Sequence, residues 1–170
     1  MRAIARWFLK AQGPRAVSGF GGRFAFKNDG GETPDVQEII YSFDNCVVTW
    51  SGREVNRTRD EYLAFHGTLG TLNILRTGYT ITPEGWGKKA PKIVAKEVKT
   101  NPQEMIPIHM NNFLDCIVSR QHPNADVEDG HLTAAFCRLG NIATRLGRTL
   151  TWDAAASAML GRKERAPWKL

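Results

Sequence analysis

Apolar and polar residues alternate in short segments from Arg15 to Thr82, and no helical stretch separates any two of them. This restricts the fold more than any other feature of the chain. Parallel neighbours need a crossover of about a dozen residues or more, so strands that follow one another through tight turns must pair mainly antiparallel. Residues 15–27 carry Val17, Phe20, Phe24 and Phe26 and read as one long strand, bent or bulged near Gly21-Gly22. Asn28-Asp29-Gly30-Gly31 is a turn or loop. Residues 36–43 and 46–51 form a hairpin about Asp44-Asn45, and residues 61–67 and 70–76 form another about Thr68-Leu69. A short strand at 78–82 ends before Pro83.

Helical periodicity lies outside this region. Ile4, Trp7 and Phe8 make one face of a first helix, stopped by Gly13-Pro14 and begun without an N-cap, which suggests a truncated start. After an exposed connection at 83–103, with one strand at Ile93–Val98, two further helices are expected near 105–120 and 128–147. The first carries the stripe Ile106, Met110, Phe113, Leu114 and Ile117, with Pro107 in its first turn or at its very start and His122-Pro123-Asn124 as its end. The second carries Leu132, Phe136, Leu139, Ile142, Ala143 and Leu146. Asp126, Glu128 and Asp129 lie at its start, and Arg145 and Arg148 at its end, as the helix dipole favours. Gly147 suits its C-cap, and Leu150-Thr151-Trp152 reads as a last short strand. The predicted fold is α+β: one large, open, mainly antiparallel sheet with the helices packed on one face. Phe113, Leu114, Ile117, Leu132, Phe136 and Leu139 are expected to be buried.

A chain of 170 residues suits a single domain spanning 1–170. Its net charge of +6 permits an acidic partner without requiring nucleic acid. The lysines Lys88, Lys89, Lys92, Lys96 and Lys99 lack interleaved aromatics and read as a solvated face. No apolar run approaches the roughly 18 residues of a membrane helix, and the start does not read as an export signal, so the expected location is cytoplasmic, the alternative being an export signal on a longer parent chain. Cys46, Cys116 and Cys137 are odd in number and contain no CxxC, which fits buried thiols in a reducing compartment.

Several chemistries are missing from the sequence. Gly19–Gly22 is not GxGxxG, because Phe24 holds the third glycine position, and it lies within a strand. There is no P-loop and no GxSxG. His66, His109, His122 and His131 show no metal-ligand spacing. Asp115 with Cys116, and Asp126 with Asp129, are spaced like helix-surface and capping residues. Trp50, Trp86 and Trp152 read as packing residues. No catalytic, cofactor-binding or metal residue is assigned on these grounds.

The order of segments adds a resemblance. IARWFL at Ile4–Leu9 runs into GPRAVSGFGGRFAF at Gly13–Phe26, TPDVQEIIYSF at Thr33–Phe43 and AFHGTLGTL at Ala64–Leu72. NNFLDCIVSRQHPNADVEDGH at Asn111–His131, LGNIATRLGRTLTWD at Leu139–Asp153 and RAPWKL at Arg165–Leu170 follow. Taken together, the string resembles the C-terminal half of bacterial oxidoreductases of the Gfo/Idh/MocA family.

The resemblance implies a two-domain enzyme when complete. An N-terminal Rossmann domain would bind NAD or NADP, and an α+β second domain would line the substrate cleft and pack in oligomers. The reaction implied is hydride transfer at a hydroxyl carbon of a sugar, polyol or related compound. The family's EKP-like lysine and its Asp and His have no counterpart here, since Met1-Arg2-Ala3 stands where the latter would lead into IARWFL. The chain is thus expected to be a fragment or separately encoded half, inactive alone, with no cofactor of its own. Its expected partners are a Rossmann domain and, through the sheet, further copies of itself; nucleic acid and membrane are not expected. The alternative is a non-enzymatic homo-oligomerising or carbohydrate-binding module.

Overall fold

The structure, a computed structural model, describes residues 8–9, 11, 13–56, 63–85, 90–153 and 158–159. In chain order the elements are β1 (Ala16–Gly22), β2 (Val36–Ser42), β3 (Val47–Arg53), β4 (Leu63–His66), β5 (Gly70–Leu75), β6 (Gly78–Pro83), β7 (Lys96–Lys99), α1 (Pro102–Ser119), α2 (Val127–Leu146), β8 (Leu150–Asp153) and β9 (Ala158–Met159). All pairings among them are antiparallel. The chain is therefore α+β, as the hairpin succession predicts. It divides into two compact units, one of Arg2–Arg57 with Val127–Leu170 and one of Thr58–Asp126.

The first unit holds a sheet in the order β3-β2-β1-β8-β9. Register places Val17 opposite Tyr41, Gly19 opposite Ile39, Ile39 opposite Trp50 and Tyr41 opposite Val48. These residues share one face because side chains alternate with a period of two. Helix α2 lies on that face, and Val17, Ile39, Tyr41, Phe136, Leu139, Ala143 and Leu150 form the core between them. The helix comes close because two glycines face the contact. A Cβ on Gly140 would lie 2.3 Å from Ile39 Cδ1, and one on Gly19 would lie 2.4 Å from Thr144 Oγ1. Polar groups in the contact are satisfied. The Tyr41 hydroxyl donates to the Phe136 carbonyl at 3.0 Å, and the Gln37 amide donates to Thr144 Oγ1 at 2.8 Å.

The second unit holds a sheet in the order β4-β5-β6-β7. Its register sets Leu63, Phe65, Leu72, Ile74, Tyr79 and Ile81 on one face, and His66, Thr71, Asn73, Thr80 and Thr82 on the other. Helix α1 starts where Asn101 accepts the Gln103 N–H at 3.1 Å and ends at Arg120, whose φ of 59° breaks the helical path. Pro102 opens the helix, so Pro107 lies inside it, beyond the first turn where it was expected.

Three expectations need correction. The long strand at 15–27 stops at Gly22, because the Phe24, Ala25 and Phe26 N–H groups are taken by a side-chain carboxylate and not by a strand ladder. The strands form two sheets, one in each unit. The predicted buried stripe holds only for α2: Phe136 and Leu139 are buried and Leu132 is half-buried, but Phe113, Leu114 and Ile117 are exposed, and α1 has no buried residue. Periodicity marks which side of a helix is apolar, but burial also needs a surface opposite it. The expected first helix at Ile4 and Trp7, and the tail at Arg165–Leu170, lie outside the described residues, as do Trp86, Lys88 and Lys89.

Candidate functional site

The most elaborately built polar feature is the loop between β1 and β2. Asp35, only 1% exposed, accepts the Phe24 N–H on one carboxylate oxygen and the Ala25 and Phe26 N–H groups on the other, each at 2.9 Å. The Phe26 and Phe24 N–H groups, with help from Ala25 and the Arg23 guanidinium, hold the Asp35 carboxyl below its ordinary value, against the opposing effect of burial. Arg23 closes the loop from the other side, donating to the carbonyls of Phe26 and Thr33 and pairing with Asp29. With three backbone N–H donors on its two oxygens, Asp35 acts as a fastening of the loop.

This loop continues onto the sheet face opposite α2. Phe20 stands there 69% exposed, and the ring of Phe24, 62% exposed, covers Gly22. Ile40 and Val47 are exposed on the same face. Across from Phe20, Glu38 accepts from the Ser51 hydroxyl at 2.5 Å and from Arg53 at 3.2 Å. The arrangement presents aromatic and aliphatic surface around a neutralised ion pair, which suits binding and docking, not acid–base chemistry.

The residues weighed from sequence stay apart. His66 shares a contact with Thr71 Oγ1 at 3.2 Å, and His122 Nδ1 lies 2.6 Å from Asp126 Oδ2 with the imidazole 92% exposed. His109 and His131 are exposed. Asp115 is exposed and Cys116 half-buried on α1. Asp126 and Asp129 are half-buried at the start of α2. Trp50 and Trp152 pack against the core, as expected of packing residues. Lys96 lies 5.8 Å above the Tyr79 ring, and Lys99 pairs with Glu97 at 3.6 Å. Among the described residues, no group of three or more His, Cys, Asp or Glu side chains could hold a metal ion. No described helix is long and apolar enough to cross a membrane.

Sequence reading missed Asp35. Its only local signal is an acidic residue directly before a strand, after a glycine-rich loop, and such residues are common in turns. A dinucleotide pyrophosphate needs backbone N–H groups at a glycine-rich turn that opens a helix. Gly19, Gly21 and Gly22 lie instead in the β1 ladder, opposite Ile39, Gln37 and Val36, and do not fit such a site.

No protein-family model and no curated protein matches the sequence. The fold has clear counterparts among solved structures. An oxidoreductase from Agrobacterium radiobacter, in complex with NAD+, L-tartaric acid and magnesium, matches with a TM-score of 0.62 at 18% identity, over 91% of this chain and 47% of that one. The UDP-N-acetylglucosamine 3-dehydrogenase GnnA from Acidithiobacillus ferrooxidans matches with a TM-score of 0.62 at 16% identity, over 85% and 46%. The WlbA dehydrogenase from Bordetella pertussis, in complex with NADH and UDP-GlcNAcA, matches with a TM-score of 0.54 at 12% identity, over 89% and 42%. The chain thus shares its fold with part of each of these oxidoreductase structures. It spans about half the length of the structures it matches.

Proposed function

We propose that this chain is the substrate-cleft and assembly half of a two-domain NAD(P)-dependent oxidoreductase acting on a sugar, polyol or related hydroxyl compound. One observation carries the reading: nearly all of this chain aligns with only about half of each matched oxidoreductase. Hydride transfer needs a nicotinamide held against the substrate. The glycines of β1 do not fit a dinucleotide site, so the cofactor is held by a Rossmann partner, on the same polypeptide or a separate one. The sugar-nucleotide names attached to two of the matched structures support a carbohydrate-like substrate. Three free thiols, Cys46, Cys116 and Cys137, suit a reducing cytoplasm.

The test pairs this chain with a Rossmann half drawn from an oxidoreductase of the same fold. NADH fluorescence and NAD(P)-dependent turnover of a panel of sugars are followed for each half and for the mixture. Neither signal is expected from this chain alone, and both are expected from the reconstituted pair. Turnover by the isolated chain, above buffer and after contaminant controls, would overturn the reading.

A further inference from the structure

We infer that α1 is a pairing helix: its apolar stripe docks antiparallel, about a two-fold axis, on the same stripe of a second copy of this chain. No sheet takes part in this contact, and the inference asks nothing of the redox chemistry proposed above. It concerns only the unit of Thr58–Asp126, to which α1 belongs.

The stripe has the spacing of a helix–helix seam. Ile106, Met110, Phe113 and Ile117 follow one another at intervals of four, three and four residues, which keeps one line of side chains facing a neighbouring helix. Leu114 widens the line on one side. Glu104 and Asp115, the only Asp, Glu, Lys or Arg residues of α1, fall on the opposite side at about 3.6 residues per turn. No described element packs along the seam: its members and Leu114 are 46% to 72% exposed, and α1 has no buried residue. Helix α2 meets the apolar surface that an amphipathic helix needs in β1 and β2, and α1 does not.

The seam is its own complement, which is what an isologous contact requires. Turned end for end about an axis between Asn111 and Asn112, it sets Ile106 against the partner's Ile117 and Met110 against the partner's Phe113. Branched aliphatic chains then meet each other, and a flexible thioether meets an aromatic ring, which is a favourable contact. No charged side chain of α1 faces its own copy, so two stripes meet without like-charge repulsion. Pro107 flanks the seam, and the helix continues through it to Ser119. Five side chains of this size and exposure offer roughly 500 Å² of apolar surface per copy, or about 1,000 Å² for the pair, the lower limit of specific interfaces. The pairing is therefore weak and follows concentration in the micromolar range.

The test is sedimentation equilibrium of the full chain from about 1 to 500 μM. The wild type should move toward twice its 19.0 kDa monomer mass as concentration rises. Phe113→Asp should weaken association by about tenfold or more, with its circular dichroism unchanged. Ile108→Asp, at an exposed position of α1 on the side away from the seam, should associate as the wild type does. Mixing reads the register. Ile106→Glu and Ile117→Lys should each associate poorly alone and better together, because antiparallel pairing brings the two changed positions opposite one another. A folding defect in either chain would not be rescued by mixing. A wild type that stays at monomer mass would overturn the inference, as would a dimer indifferent to Phe113→Asp or weakened as much by Ile108→Asp. A mixture no better than its parts would also overturn it, and so would a monomer that uses Phe113 only to bind the Rossmann half. Because mass is read on this chain alone and turnover on the pair, the pairing inference and the oxidoreductase reading can fail separately.

Discussion

Gly140 on α2 lies so close to Ile39 on β2 that a methyl group in place of its hydrogen would come within 2.3 Å of Ile39 Cδ1 and 2.8 Å of Tyr41 Oη. Both neighbours are buried, so neither can move aside without opening the core. Gly140→Ala is therefore expected to destabilise the protein by about 1–3 kcal/mol, even though alanine is the better helix former. At Gly130, on the same helix, a Cβ meets nothing within 4 Å. Gly130→Ala should leave stability unchanged or raise it by up to about 1 kcal/mol. Urea denaturation of the two variants checks the contrast.

Ile39 and Ile40 are neighbours in sequence and opposites in environment, the first fully buried and the second exposed. Ile39→Ala should cost about 2–5 kcal/mol through lost burial and a residual cavity. Ile40→Ala should change the stability of the monomer by no more than about 0.5 kcal/mol. Thermal melts at low micromolar concentration, where association is minimised, separate the two. Equal losses would mean that the strand register is wrong.

The Tyr41 hydroxyl tethers the sheet to the Phe136 carbonyl, and its ring stacks near that of Phe136 with centroids 6.3 Å apart. Tyr41→Phe keeps the ring and removes only the hydrogen bond. A loss of about 1 kcal/mol is expected, the usual net worth of one hydrogen bond, because the Phe136 carbonyl lies within α2.

Asp35 makes stability depend on pH in a definite direction. Its folded carboxyl titrates below the ordinary value of 3.8, so the charged form is favoured in the folded state. The stabilisation it provides is complete above that ordinary value and is lost as pH falls through the lower folded one. Acid titration followed by NMR should show the Phe24, Ala25 and Phe26 amides shifting together, below pH 3.8. In Asp35→Asn the loop amides should exchange with solvent faster at neutral pH, and this acid step should vanish. Amides that titrate independently of one another would contradict the shared carboxylate.

Much of the local structure was legible in the sequence because it depends on neighbours along the chain. The turns at Asp44-Asn45 and Thr68-Leu69 join strands where the alternation breaks. Asp126, Glu128 and Asp129 mark the start of α2, and Gly147, with φ at +61°, follows its end. The Trp50 and Trp152 packing roles follow from the same kind of reading. Asp35 was not legible in this way, because its worth lies in three N–H groups about ten residues away that a loop brings to it.

By itself, the sequence determined the α+β class, the antiparallel pairing, the two helices after residue 100 and which side of each is apolar, because periods of two and 3.6 are properties of a local backbone. Only the tertiary structure decided which apolar surfaces are used. Helix α2 buries Phe136 and Leu139 because Gly19 and Gly140 let it close on the sheet, whereas Phe113, Leu114 and Ile117 on α1 have the same pattern and remain exposed. It also decided that Phe24 and Phe26 leave the strand, since a buried carboxylate competes for their N–H groups with the ladder that would have extended it. Burial and hydrogen-bond competition depend on which distant residues meet, and a local period carries no record of that.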